Sequence, residues 1–366
     1  MESPFKANIL KGKVALITGG GSGIGFEIST QFGKHGASVA IMGRRKQVVD
    51  SAAANLQSLG ISAAGFEGDV RKQEDAKRVL ESAFKHFGKI DILVNGAAGN
   101  FLVSPEDLSP NGFRTVLDID AVGTFTMCHE ALPYLKKGGL GQSLSGGGII
   151  LNISATLHYT AAWYQINVAA AKAAVDAIGR NLALEWGTDY NIRVNGIAPG
   201  PISGTPGMSK LVPEEINSKA KDFMPLYKLG EKWDIAMAAL YLASDAVSSS
   251  EPSCLHIIQL VSALELSNHL SLLKLKSIFA SDINKFNGNF ENNAFLTFSI
   301  EIRSVRRSNT YRLCFRKYVN GTTLVVDGGL WLSRPRHLPK DEVKQVSRAV
   351  EKKSRNARAG VPSSKL

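Results

Sequence analysis

The sequence predicts an α/β protein, a doubly wound parallel sheet in a single domain, and three observations carry that prediction. Short β-rich apolar runs alternate with longer helical stretches from residue 13 onward, and strands separated by helices form parallel sheets with helices on both faces. A glycine cluster follows the first run and opens a helix. A chain of 366 residues is long enough to bury the core such a sheet requires.

The first strand, KVALIT (13–18), runs through TGGGSGIG at Thr18 to Gly25 into the helical stretch FEISTQFGKHG. Glycines at a strand-to-helix turn let backbone N–H groups and the positive helix end face a pyrophosphate without obstruction by side chains. Gly19, Gly21, Ser22, Gly23, Ile24 and Gly25 are therefore expected at a dinucleotide, which makes the sheet Rossmann-like. The second strand, SVAIMG (38–43), is followed by Arg44 and Arg45 where an acid would hold the ribose of NAD. Arginine there pairs with a 2′-phosphate, so the expected cofactor is NADPH; the plainer alternative is two solvated arginines at a helix start.

DILVNG (91–96), GIILNIS (148–154) and IRVNGIAP (192–199) are the next strands, and TTLVVDGG (322–329) is the last. Residues 1–246 form the main dinucleotide-binding domain in this reading, and residues 317–333 supply its final strand. Between them, residues 247–316 change composition abruptly, with one glycine, twelve serines and seven asparagines in 70 residues. Two readings of this insert stay open. It is either a long flexible surface loop, uncommon beyond about 15 residues in compact domains, or translated non-coding sequence such as a retained intron. SDA joined directly to KYVNGTTLVVDGG would make an ordinary helix-to-strand connection.

The net charge of +11 has a local origin, because the tail from residue 331 onward carries 10 basic against 3 acidic side chains while residues 1–246 carry 24 against 23. A nearly neutral main domain argues against nucleic acid. No run approaches the roughly 18 to 20 apolar residues of a membrane span, and MESPFKANILKGK has no apolar signal core. Cys128, Cys254 and Cys314 fit neither a disulfide nor a zinc pattern, so no metal is expected.

Together these motifs resemble the short-chain dehydrogenase/reductase family over residues 10–246 and 317–333. TGGGSGIG is similar to the family's TGxxxGIG, Asp69-Val70 to its adenine contact, NGAAG from Asn95 to its NNAG turn, and NGIAPG at Asn195 to Gly200 to the loop after its sixth strand. The resemblance implies that Asp69, Val70, Asn95, Lys172, Pro199, Gly200 and Ile202 also bind the cofactor. In most of the family a serine and a tyrosine accompany the lysine, the tyrosine four residues before it. One helical turn then places the ammonium beside the phenol and lowers its pKa. Here Lys172 is in place, but Val168 stands at the tyrosine position and Ala155 at the serine position. Tyr164 is no evident substitute: eight helical residues from Lys172 is about 12 Å, with a wheel offset of roughly 80°.

Asp120, in LDIDAVGTF, stands where many family members carry asparagine. Facing Lys172, it is similar to the subgroup of peroxisomal 2,4-dienoyl-CoA reductases, as are AAGNF, NISATL, KAAVDAIGRNLALEWG and APGPISGT. That resemblance implies reduction of a fatty acyl-CoA, with Asp120 and Lys172 catalytic and Asn100, Phe101 and Tyr164 at the substrate. Adding a hydride to a conjugated thioester leaves a proton to be delivered to carbon, a task for a water oriented by Asp120 and Lys172 rather than for a phenol. Ser364-Lys365-Leu366 matches the peroxisomal address read by an import receptor. A homo-oligomer is expected. The competing readings are a reductase of another activated alkene or carbonyl that uses Tyr164, and a nucleotide-binding pseudoenzyme.

Overall fold

A computed structural model of the chain describes residues 2–136, 147–159, 161–211, 228–244 and 323–326. Seven parallel strands form one sheet: β1 (Val14–Thr18), β2 (Ser38–Gly43), β3 (Ala63–Glu67), β4 (Ile92–Asn95), β5 (Ile149–Ile153), β6 (Arg193–Pro199) and β7 (Thr323–Val326), in the order β3-β2-β1-β4-β5-β6-β7. Six of them coincide with apolar runs in the sequence. The seventh, β3, reads AAGFE and holds its place by pairing with β2, Val39 beside Ala63 through Gly43 beside Glu67. Gly65 in its middle has a packing reason, since a Cβ there would lie 2.7 Å from the Val49 carbonyl oxygen.

Because helices cover both faces, the strands are apolar on both sides. Ala15 and Ile17 of β1 join one core with Ile28 and Phe32 of α1 (Gly23–Lys34), Val49 and Leu56 of α2 (Lys46–Ser58), and Ile235 and Leu240. The last two lie on the final described helix (Lys232–Ala243). Leu16, between them on β1, points the other way. It joins a second core with Val79 and Leu80 of α3 (Gln73–Phe87) and with Met127 and Ala131 from the helix Gly123–Leu135. In chain order α4 is Pro110–Leu117, α5 Gly123–Leu135, α6 Ile166–Tyr190, α7 Pro206–Leu211 and α8 Lys232–Ala243.

The chain enters from β1 toward β2 on one side and toward β4 on the other, so the carboxyl ends of β1 and β4 flank the switch point where ligands bind in such sheets. Between α4 and α5, residues Asp118–Val122 form a π-helical turn, a widening of the helix that is frequent at functional sites. The insert 247–316, the tail from 327 and its Ser364, Lys365 and Leu366, and Cys254 and Cys314 lie outside the described residues.

Candidate active site

A cavity of about 820 Å³ opens at the carboxyl ends of the strands. Its floor is the glycine turn. Gly19 takes φ +68°, and a Cβ on it would meet the Gly96 carbonyl oxygen at 2.7 Å, so only glycine lets the turns after β1 and β4 approach this closely. Thr18 locks them together, its Oγ1 accepting from the N–H groups of Gly96 and Ala97 at 3.1 Å. Gly19, Gly21, Ser22, Gly23, Ile24 and Gly25 all line the cavity, at the N-terminus of α1, where N–H groups without helical partners favour an anion.

At the end of β2, Arg44 and Arg45 are exposed and line the same cavity, as do Asp69 and Val70. Arg71, which no sequence motif marks, lines it too and grips Asp69 through Nε at 3.0 Å to both carboxylate oxygens. Burial pushes the Asp69 carboxyl up, but hydrogen bonds and charge from Arg71, with the charge of Arg44, outweigh it and hold the group below the usual carboxylate range. The rim is cationic, with one carboxylate already neutralised.

On the opposite wall, Lys172 of α6 is buried at 6% exposure with its ammonium facing two oxygens. It donates to the Ile153 carbonyl at 2.8 Å and lies 2.8 Å from Asp120 Oδ1. Asp120 sits in the π-helical turn and is fully buried, and its Oδ2 accepts from the Gly99 N–H at 2.7 Å. It does not reach the cavity surface. Asp120 therefore acts through others, holding Lys172 and the loop after β4 in register. One turn before Lys172, Val168 is buried against Val116 and Ala171, with Phe101 and Leu157 packed on them. Aliphatic carbon fills the place of a phenol, and Ala155 lines the cavity without a hydroxyl.

Tyr164 does not follow the helical geometry expected of it. α6 begins at Ile166, and Tyr164 precedes it in the left-handed conformation, φ +63°, rare for an aromatic residue. Its ring is buried and lines the cavity. The loop after β4 clasps this segment: Val103 N–H donates to the Tyr164 carbonyl at 3.0 Å, Asn100 Nδ2 to Gln165 Oε1 at 2.9 Å, and Asn167 Nδ2 to the Phe101 carbonyl at 3.3 Å. Asn100 and Phe101 line the cavity, and the half-exposed Trp163 stands at the same wall.

Two expected cofactor residues are placed elsewhere. Asn95 is buried off the cavity, bonding Asn152 Oδ1 at 2.9 Å and Cys128 Sγ at 3.3 Å, so its amide ties β4 to β5. Ile202 turns into the core and bridges to Gly230. Pro199 and Gly200 do line the cavity. Ser154, buried in the wall beside Lys172, is not marked by the motifs because it stands one residue before the family's serine position.

The chain has well-defined relatives. The family model described as enoyl-(acyl carrier protein) reductase matches residues 19–257. A peroxisomal 2,4-dienoyl-CoA reductase, (3E)-enoyl-CoA-producing, from Arabidopsis thaliana is 62% identical over 367 aligned residues, 100% of this chain and 100% of the relative. A protein of the same name from Mus musculus is 46% identical over 246 residues, 67% of this chain and 82% of that protein. The crystal structure of a short chain dehydrogenase from Bacillus anthracis matches with a TM-score of 0.62 at 31% identity, covering 90% of this chain and 100% of that one.

Proposed function

Because the chain belongs to the short-chain dehydrogenase/reductase family, we propose that it is an NADPH-dependent 2,4-dienoyl-CoA reductase that produces 3-enoyl-CoA in the β-oxidation of unsaturated fatty acids. One observation carries the choice of reaction: Lys172 is paired with buried Asp120, while Val168 leaves no phenol one turn away. Carbonyl reduction ends with a proton on oxygen and needs a donor beside that oxygen. Reduction of a conjugated thioester ends with a proton on carbon.

The cradle fits a dinucleotide phosphate at Gly19 to Gly25, and Arg44 and Arg45 offer paired cations for a 2′-phosphate. When bound, the nicotinamide supplies a hydride to the far carbon of the diene. Lys172, held by Asp120 and the Ile153 carbonyl, places a positive charge where the thioester becomes negative and keeps a proton for an oriented water. Phe101, Leu157 and Tyr164 make the adjoining wall apolar and exclude bulk water.

The enzyme's proposed place is the peroxisome, the compartment in the names of its relatives, with Ser364-Lys365-Leu366 read by an import receptor. A homo-oligomer is proposed because Phe125 on α5 and Leu184 on α6 stand 48% and 72% exposed among helices of one sheet face. Tyr164 on the cavity wall favours a second reading, carbonyl reduction with that phenol as acid. NADPH consumption measured with hexadienoyl-CoA beside a simple ketone decides: the dienoyl thioester should be consumed and the ketone not. Ketone turnover alone would transfer the role to Tyr164, and turnover of neither would leave a nucleotide-binding protein.

A further inference from the structure

Asp69 is the only acidic residue among the described residues that line the cavity of about 820 Å³, whose cations are Arg44, Arg45, Arg71 and Lys172. Adjacent strand ends bring it beside the first two arginines. β2 and β3 pair as far as Gly43 beside Glu67, and the Gly68 N–H donates to the Gly43 carbonyl at 3.0 Å. Arg44 and Asp69 are the next residues of the two chains. A free carboxylate at this point would compete for the guanidinium groups that a 2′-phosphate needs, and would repel the phosphate itself.

Arg71 takes up that carboxylate. Its Nε donates at 3.0 Å to both oxygens of Asp69, Nη2 donates to Oδ2 as well, and the Arg71 N–H donates to Oδ1 at 3.1 Å. A lone exposed ion pair contributes little, but a fork on a carboxylate has fixed geometry, and the Asp69 side chain is only 12% exposed. Arg44 and Arg45, by contrast, are exposed and form no ion pair among the described residues. The turn does not need the Arg71 side chain for its shape. Asp75 Oδ2 accepts from the Asp69 N–H at 3.0 Å, while Arg78 Nη2 holds Asp75 Oδ1 at 2.7 Å and the Glu67 carbonyl at 3.0 Å. The Arg71 fork therefore acts on charge.

Resting on the NADPH reading, we propose that Arg71 is a specificity-determining positioning residue: it acts through Asp69, occupying the cavity's carboxylate so that Arg44 and Arg45 stay free for the 2′-phosphate of the cofactor. NADH carries a hydroxyl where NADPH carries that phosphate, so the effect falls on NADPH. Without the Arg71 side chain, Asp69 turns its charge on Arg44 and on the phosphate, and the preference between the two cofactors shrinks.

The test measures dissociation constants of the full chain for NADPH and NADH by fluorescence, and for 2′,5′-ADP and 5′-AMP by calorimetry, with no acyl-CoA present. It compares the wild type with Arg71→Ala, Asp69→Asn and the double variant. Arg71→Ala should shrink the preference for the 2′-phosphate about 10-fold, the scale of one charge-assisted hydrogen bond, almost entirely by weakening NADPH and 2′,5′-ADP. A merely structural role would weaken all four probes together. Asp69→Asn should keep the preference, whatever it does to both cofactors alike. Added to Arg71→Ala, it should return the preference to within about threefold of the wild type, because no carboxylate is left to neutralise. If Arg71→Ala does not fold, Arg71→Gln takes its place with the same expected outcomes. A wild type that prefers NADPH beside an Arg71→Ala with equal preference overturns this proposal and spares the cofactor reading. So does a double variant as impaired as Arg71→Ala, which would make Arg71 a direct ligand of the phosphate. A wild type with no preference for NADPH overturns both.

Discussion

Two oxygens face the Lys172 side-chain nitrogen in the cavity wall, and of the two groups only Asp120 can be changed without altering the backbone. Asp120→Asn preserves shape and the contact with Gly99 but removes the counter-charge. We expect kcat with dienoyl-CoA to fall on the order of 100-fold, the usual scale for lost acid/base help, with NADPH binding nearly intact by fluorescence titration. Tyr164→Phe should do far less; the reverse ranking would make Tyr164 the acid. At the other end of the cavity, replacing Arg44 and Arg45 together by alanine should weaken NADPH at least about 10-fold more than NADH, on the scale of lost charge-assisted hydrogen bonds. Equal losses for the two cofactors would remove the assignment to a 2′-phosphate. The glycines and the two arginines stood out because their spacing after a strand fixes their relation to a turn, whereas Asp120 and Lys172, far apart in sequence, stood out only through the family resemblance. Asn95 and Ile202 were not, since whether a residue at a strand end faces the cavity or the core depends on neighbours such as Asn152 and Gly230 that lie far away in sequence.

At the scale of elements, the strands rich in valine and isoleucine announced themselves, and β3 did not. Its Ala-Ala-Gly core carries little β propensity, and β2 with the overlying α2 supplies what the local sequence lacks. The π-helical turn at Asp118–Val122 was equally hidden, because no residue type marks an extra residue in a helix; it is nonetheless what seats Asp120 behind Lys172. α6 shows how one helix serves both chemistry and stability: Val168, Lys172 and Asp176 succeed one another at four-residue intervals along a single face. Asp176 accepts from His158 Nε2–H at 2.8 Å and from the Tyr159 hydroxyl at 3.1 Å. Burial pushes its carboxyl up, but these partners outweigh it and hold the group below the usual carboxylate range, so its contribution to stability is fully present above the unfolded value of about 3.9 and is lost as pH falls through the lower folded value. Thermal melting between about pH 5 and pH 2 should therefore drop more steeply for the wild type than for Asp176→Asn. Parallel curves would show that the carboxylate gains nothing from His158 and Tyr159 in the folded chain.

At the scale of the whole molecule, the sheet ends on β7, which pairs with β6 from Gly196 beside Thr323 to Pro199 beside Val326, and α8 is the described element before it. The 70 residues from 247 to 316 fall between these two, outside the described residues, and we propose that they are foreign to the working enzyme. Their composition breaks with the rest of the chain. Closing a longer loop costs little, because the entropy grows only logarithmically with length, so the sheet should tolerate them. The greater liability is their content. CLHIIQLV and AFLTFSI are β-prone and weakly charged, and such runs invite association when they are exposed. A chain joining Ala246 directly to Lys317 restores a short helix-to-strand connection and removes both runs. It should be more soluble than the full chain, elute as a discrete oligomer in size-exclusion chromatography and reduce hexadienoyl-CoA faster per subunit. If the full chain is instead the better enzyme, or the shortened one fails to fold, residues 247–316 belong to the structure and supply something that α8 and β7 require.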